Sequence, residues 1–438
     1  MVNLTYDFLY CFDKAFNTQA SIAISSLLHN VSSKVNIHII HKEPETFADI
    51  KLRLQGNPNL KNLYMYKFEI DDITISTNNS HLSEATYYRL FMSKFLSNKI
   101  QKLVYLDADI VCVNNPINAL SNIFDELEKE NKILGAREEI MDTLNLNKYK
   151  RIGLKNDSIF NAGVLIIDYK KWLEENIDLE LFNIFQNRIG RIKDYDQEIL
   201  NLFFENNYLK ISTNFNYPGG WTKTKELIKK AKDEVYFIHY LGKGKPWFIE
   251  NIINNNTILY QEAYRKLGVN KYHLTFDNNS GQLKKFFKLL LSLQFLKLDY
   301  PLSFLNLSFT AIFKNIIKSD KPKYLFNSML SAASMFIITF TFADYLQYEF
   351  LKVYLSGYVY VLIQSYTISK FIVFKSKEKN YIKFIITNIL FSLFGYFGAI
   401  FIEENTFFNY AFSYLSIGFF TFVIRYLLYK NIIFKNDK

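Results

Sequence analysis

The stretch Leu103-Val-Tyr-Leu-Asp-Ala-Asp-Ile110 is an apolar run that ends abruptly on two carboxylates. Leu103 to Leu106 is too short for a helix and reads as a buried strand. Asp107 and Asp109 then stand at a strand's carboxyl end, which is where open α/β sheets bind their ligands. Paired carboxylates offer hard oxygen ligands to a divalent cation, and such a cation can neutralise a pyrophosphate leaving group as a Lewis acid. The plainer alternative is a strand-end turn, in which Asp is common.

Outward from this strand the chain alternates β and α patterns. Tyr6 to Phe12 is apolar, Ala20, Ile24, Leu27, Leu28 and Val31 follow at helical spacing, and Val35 to Ile40 is the next strand. Leu63 to Ile70, Lys132 to Ala136, Val164 to Asp168 and Val235 to Tyr240 are further strands, separated by helical segments. A doubly wound, mostly parallel α/β sheet is expected over residues 1–276. Asp107 to Val111 also superficially resembles the nucleophile motif of haloacid dehalogenase-type phosphatases. Those enzymes usually carry it near the N-terminus, whereas here a full βαβ region precedes it.

Other chemistry-bearing segments point to the same pocket. In Phe237 to Trp247, FIHYLGKGKPW, a strand ends on His239 and opens into Gly242, Lys243, Gly244 and Lys245. Imidazole beside two carboxylates suits manganese or a similar ion, and glycines with lysines suit phosphate oxygens. Arg89 lies in the helical run Glu84 to Leu96 with no acidic residue three or four positions away, so its partner must be a diphosphate or a distant carboxylate. Asp194 to Glu198, DYDQE, opens another helix, and Asp194 with Gln197 also fits a capping box.

Taken in order, YCFDKAF at Tyr10 to Phe16, TYYRL at Thr86 to Leu90, LVYLDADI, FNAGVLIID from Phe160, DYDQEIL and HYLGKGKPW from His239 resemble glycosyltransferase family 8. That resemblance implies a GT-A fold, a Rossmann-like α/β architecture, and transfer of glucose or galactose from a UDP-sugar with retention of configuration. It implies Mn2+ or another divalent cation on Asp107, Asp109 and His239. It places Asp13 and Phe16 at uracil, Gly242 and Lys245 at the diphosphate, and Asp107 among the donor contacts as well as the metal ligands. Arg89, Asn161, Asp196 and Gln197 surround the donor sugar, with Gln197 nearest the reacting carbon. The family often has Asp-Asn-Tyr after the first strand. Here Asp13 is followed by Lys14, Ala15 and Phe16, so Phe16 can stack but Ala15 offers no side-chain hydrogen bond.

Charge and composition divide the 438 residues further. The whole chain carries 52 basic and 42 acidic residues, but residues 1–276 hold 34 against 33. A nucleic-acid partner, which would call for a basic patch on the folded part, is excluded on that count. The excess lies in residues 277–323, with eight against three, and in residues 324–438, with ten against six. Only Cys11 and Cys112 occur, which excludes a disulfide framework, and Met1 to Lys14 shows no secretory signal.

Of the last 115 residues, 32 are Phe or Tyr, and charge-free stretches run Tyr324 to Ala343, Val353 to Ser369, Phe384 to Ile402 and Asn405 to Ile424. At about 1.5 Å per residue each approaches a bilayer core of roughly 30 Å. An all-α transmembrane domain of four helices is expected. Lys370, Lys375, Lys377, Lys379 and Lys383 follow the second stretch and Lys430, Lys435 and Lys438 the fourth. Asp344, Glu349, Glu403 and Glu404 mark the opposite loops. Both termini and the catalytic domain are therefore expected in the cytosol of a bacterial cell, with the chain in the cytoplasmic membrane.

The basic runs Lys284 to Leu298 and Ser303 to Lys318 read as amphipathic interfacial helices over residues 277–323. Residues 324–438, most clearly YTISKFIVF at Tyr366 to Phe374, resemble the GtrA family, which implies contact with polyprenol-linked sugars. Membrane lipids, a UDP-hexose and a cell-envelope glycan or lipid-linked acceptor are the expected partners. A transport protein with an inactive front half is the remaining alternative.

Overall fold

The computed structural model describes residues 5–70, 84–139, 147, 150, 153–155, 158–187, 196–219, 233–242, 244–253, 257–276, 280–318, 320–376, 380–405 and 421–434. Asp194 with its capping-box pairing, Lys243, and the basic Lys377, Lys379, Lys435 and Lys438 lie outside them. The chain divides into two compact units, Met1–Ser308 and Phe309–Lys438.

In the first unit the strands are β1 (Asp7–Phe12), β2 (Val35–His41), β3 (Leu60–Lys67), β4 (Lys102–Leu106), β5 (Ile110–Cys112), β6 (Leu134–Glu139), β7 (Ile159–Asp168), β8 (Leu209–Lys210), β9 (Tyr217–Pro218) and β10 (Phe237–His239). Seven of them form one sheet in the order β3-β2-β1-β4-β7-β6-β8. β3, β2, β1 and β4 run parallel, as do β6 and β8, while β7 is antiparallel to both its neighbours. Alternation along the strands feeds two cores, one on each face. Phe8, Tyr10, Phe12, Val104 and Leu106 pack on one side. Leu9, Cys11, Leu103 and Tyr105 pack on the other.

Val235 to Tyr240, expected in this sheet, instead forms β10 of a separate three-stranded sheet, β5-β10-β9. The cause is the turn at Ala108, where Ile110 N–H donates to Asp107 O at 3.2 Å and the chain leaves the main sheet. The antiparallel pairing of β10 with β5 places His239 opposite Ile110, next to Asp109.

The helix expected over Glu84 to Leu96 is a run of 3-10 turns, Glu84–Lys94, kinked at Phe91 (φ −119°, ψ 21°). Residues 87–92 are all buried, and an α-helix on a surface can bury only one stripe. The segment is wedged between Phe68, stacked on Tyr88 at 3.8 Å, and the helix Ile177–Asn187, whose Phe185 meets Tyr87.

Lys284 to Leu298 is also not one helix. Ser280–Leu291 is helical, Leu293 turns left-handed (φ 54°), and Gln294–Lys297 is a short 3-10 turn. Lys285 pairs with Glu250 at 3.4 Å, and Phe286 meets Phe304, which opens the next helix, Pro301–Lys318. Leu302 and Phe309 on that helix are exposed, whereas Phe304, Ser308 and Ile312 form its buried ridge.

The second unit contains the helices Asp320–Thr339, Phe350–Ile368 and Tyr381–Asn405 and a helical segment at 421–428. Two helices among the described residues, Asp320–Phe342 and Tyr381–Gly398, are long and apolar enough to cross a membrane. The second expected stretch forms the helix Phe350–Ile368, which is not one of those two, and most of the fourth lies outside the described residues.

A repeat emerges in this unit. Lys323-Tyr324, Tyr366, Lys370, Phe374 and Lys375 return as Lys383-Phe384, Tyr426, Lys430, Phe434 and Lys435, each sixty positions on (384 − 324 = 60, 434 − 374 = 60). The π-helical turns Ser369–Val373 and Tyr429–Ile433 keep the same offset. Ring contacts repeat with the halves exchanged: Tyr324 to Tyr426 at 5.3 Å and Phe384 to Tyr366 at 5.3 Å. Phe374 stacks on its own counterpart Phe434 at 5.4 Å. This exchange is the mark of a pseudo-two-fold arrangement of two helical hairpins.

Candidate active site

The turn after β4 splits its two carboxylates between two cations. Asp107 Oδ1 is 3.1 Å from an Arg89 nitrogen and accepts from the Tyr105 hydroxyl at 2.6 Å. Asp109 Oδ2 accepts from the Lys245 ammonium, which also donates to Tyr240 O at 2.7 Å. His239, delivered by β10, brings Nε2 to 3.2 Å from Asp109 Oδ1 and 3.7 Å from Asp107 Oδ2.

Asp107, Asp109 and His239 each offer one ligand atom within 4.8 Å of the others, and they form the one such cluster among the described residues. Asp109 Oδ1 is buried and has no hydrogen-bond partner. A Cβ on Gly163 would lie 2.2 Å from His239 Cε1 and 3.0 Å from Asp107 Oδ2, so glycine is required where β7 passes beneath the cluster. Two carboxylates, an imidazole and an orphaned buried oxygen fit a hard or borderline divalent cation.

Arg89 organises the other wall. Its guanidinium donates to Ala162 O at 2.5 Å, lies over the Tyr105 ring, and reaches Asp196 Oδ2 at 2.7 Å as an ion pair rather than an aligned hydrogen bond. The distant carboxylate demanded by its isolation in sequence is therefore two carboxylates, Asp107 and Asp196. Gln197, beside Asp196 at the start of the helix Asp196–Phe204, turns its amide oxygen to Ala162 N at 3.1 Å and to Asn161 Nδ2 at 3.5 Å. Asn161 Oδ1 accepts from Gly163 N at 3.1 Å and from Asn216 Nδ2 at 2.8 Å, and Asn216 Oδ1 faces His239 Nδ1 at 3.0 Å.

Burial would raise the Asp109 carboxyl, but Lys245 and His239 outweigh it and hold it well below the usual range. At Asp196 burial wins over Arg89 and pushes the carboxyl up to about 6. Burial works against the charge on Arg89, yet Asp107 and Asp196 together hold its proton more tightly than usual.

The remaining expected residues fall on the same edge of the sheet. Asp13 follows β1, which neighbours β4 in parallel, and caps a short turn by accepting from Ala15 N at 2.8 Å. Phe16 meets Trp247 edge-on at 6.2 Å, joining the turn after β1 to the loop after β10. Gly242 opens that loop with φ +58°, a conformation that favours glycine. Asn216 and Gly163 join the site without being among the residues expected there. Gly163 carries a legible signal, a glycine inside a strand pattern, whereas Asn216 acquires its place only through the pairing of β9 with β10.

Among the curated relatives, a lipopolysaccharide 1,2-glucosyltransferase of Escherichia coli is 27% identical over 293 residues, covering 60% of this chain and 83% of its own. A lipopolysaccharide 1,3-galactosyltransferase of Salmonella typhimurium is 24% identical over 251 residues, covering 55% and 73%. The solved structure of the galactosyltransferase LgtC with donor and acceptor sugar analogs is 19% identical, covers 64% of this chain and 99% of its own, and superposes with a TM-score of 0.49. The family model described as Glycosyl transferase family 8 matches residues 7–250, more than half of the chain, so the protein belongs to glycosyl transferase family 8.

Proposed function

We propose that the protein is a metal-dependent, retaining hexosyltransferase. In this reading it moves glucose or galactose from a UDP-sugar to a cell-envelope glycan or lipid-linked acceptor. The observation that carries this reading is the convergence of Asp107, Asp109 and His239 between a Lys245 wall and an Arg89 wall. A divalent cation held by those three residues supplies charge neutralisation for the departing diphosphate.

The chain's own groups do the rest. Lys245 is placed to exchange its grip on Asp109 for a phosphate oxygen, and Phe16 to stack on the base. Arg89 fixes Asp107 and Asp196, and Gln197 is oriented by the Ala162 N–H, so the sugar-facing wall is set before donor arrives. The motifs that carry these groups, TYYRL, LVYLDADI, FNAGVLIID and DYDQEIL, are those through which the chain resembles a family that transfers with retention. This supports retention and an α-linked product.

The test is UDP release and product formation from a panel of UDP-hexoses by the full chain in membranes. Transfer is expected to stop in EDTA, to return with Mn2+, and to fall by at least about 100-fold in Asp109→Asn. Full activity in EDTA, or a β-linked first product by proton NMR, overturns the proposal.

A further inference from the structure

A chain of three side chains ties the sugar-facing wall to the metal-competent histidine, and its polarity is fixed at one end by the backbone. Gly163 N–H lies 3.1 Å from the side-chain oxygen of Asn161. A backbone N–H only donates, so the atom it meets must be the amide oxygen. Asn216 approaches that same oxygen at 2.8 Å and must therefore present its NH2 group there. The other end of Asn216, its oxygen, then faces His239 Nδ1 at 3.0 Å, and only a proton on Nδ1 completes that contact. In the neutral ring that a cation would bind, the lone pair is then on Nε2, which lies 3.2 Å from Asp109 Oδ1 and 3.7 Å from Asp107 Oδ2. Asn216, Asn161 and His239 are all nearly or fully buried, at 0%, 5% and 4% exposure, so solvent does not scramble these choices.

From this geometry we infer that Asn216 and Asn161 are positioning residues that set the tautomer of His239. Through them the Gly163 N–H decides that Nε2 meets a cation as an acceptor. The inference rests on the proposed cation site. A purely packing role for the two asparagines would alter folding but not the affinity of folded protein for a metal. Outer partners of metal-binding histidines typically contribute about 10- to 100-fold in affinity, and the two asparagines occupy that position here.

The relay makes distinct demands on each position. At 216 an acceptor must face Nδ1, so Asn216→Asp keeps the tautomer and Asn216→Ala loses it. At 161 an acceptor must face both Gly163 N and Asn216 Nδ2. Asn161→Asp satisfies both, while Asn161→Ala frees the Asn216 amide to turn over. Asn161 supplies no atom to the metal cluster, so an effect there on metal binding is a property of the relay alone.

The experiment titrates Mn2+ alone into the full-length chain in detergent and follows the EPR signal of aquated Mn2+, with circular dichroism to confirm folding of each variant. Asn216→Ala and Asn161→Ala are expected to weaken Mn2+ binding by about 10- to 100-fold, and the two Asp variants to stay within a few-fold of the wild type. Asn161→Asp is further expected to lose transfer while keeping Mn2+, because its contact with Gln197 changes. Alanine variants that bind Mn2+ like the wild type, or Asp variants as weak as the alanines, overturn the relay. If Asn216→Ala does not fold, the two Asn161 variants decide the matter. His239→Ala serves as the reference: undiminished Mn2+ binding there overturns the cation site itself, a result separable from failure of the relay.

Discussion

Burial pushes the Asp196 carboxyl up to about 6 against the pull of Arg89, and this gives the pocket a pH dependence of known sign. A carboxyl that holds its proton more tightly folded than unfolded adds stability below the unfolded value near 3.9. It loses that contribution as pH rises through about 6. Over roughly two pH units this amounts to about 3 kcal/mol at most. Denaturation of the full chain between pH 4 and 7 is expected to show this loss, and Asp196→Asn to flatten it. Protonation also weakens the hold on Arg89, so wild-type kcat should fall below about pH 6. The Asn variant should be slower by on the order of 100-fold at every pH, with no such acid limb. Parallel pH curves for the two proteins would remove Asp196 from this role.

At the scale of elements, the sixty-residue repeat predicts coupling that single helices would not show. Phe374 and Phe434 close the two π-helical turns and stack on each other, so they mark where the hairpins meet. Alanine at either position should destabilise the second unit. The double variant should fall short of additivity by about 0.5–1.5 kcal/mol, measured by thermal unfolding of full-length protein in detergent. Strict additivity would deny the contact.

The repeat was present in the sequence but hidden, because its matched positions are scattered aromatics and lysines rather than a contiguous motif. The parallel strands β1 and β4 are legible because both faces of the sheet are buried, so that each strand is a continuous apolar run. The fate of Val235 to Tyr240 was not, since only the turn at Ala108 decides which sheet receives β5 and hence β10. Arg89 stands out in the sequence for lacking a local partner, but periodicity does not distinguish its 3-10 segment, buried all round, from an α-helix. Asn216 had no signal at all: its function is a contact made by tertiary structure.

For the whole molecule, the question is why a family 8 transferase carries a second unit of apolar helices. The match to that family ends at residue 250, and exposed Phe336, Ile337, Ile363, Phe397 and Phe401 would be costly in water. We propose that the second unit spans the cytoplasmic membrane with four helices and holds or moves a lipid-linked partner of the reaction. The basic residues of 277–323 would draw the active site to the cytoplasmic leaflet. Each Lys near anionic lipid adds about 1 kcal/mol, so on this proposal that segment's surplus of five would supply surface attachment without any span. Simple anchoring would then need no polar groups in the apolar helices, yet Asn327 is buried and donates to Ser365 and Ser369, and Gln364 accepts from Ser334. Replacing residues 324–438 with an unrelated four-span anchor of the same orientation separates the two roles. Loss of cellular glycan with normal transferase activity in isolated membranes is expected if the unit handles substrate. Unchanged glycan output would reduce it to an anchor.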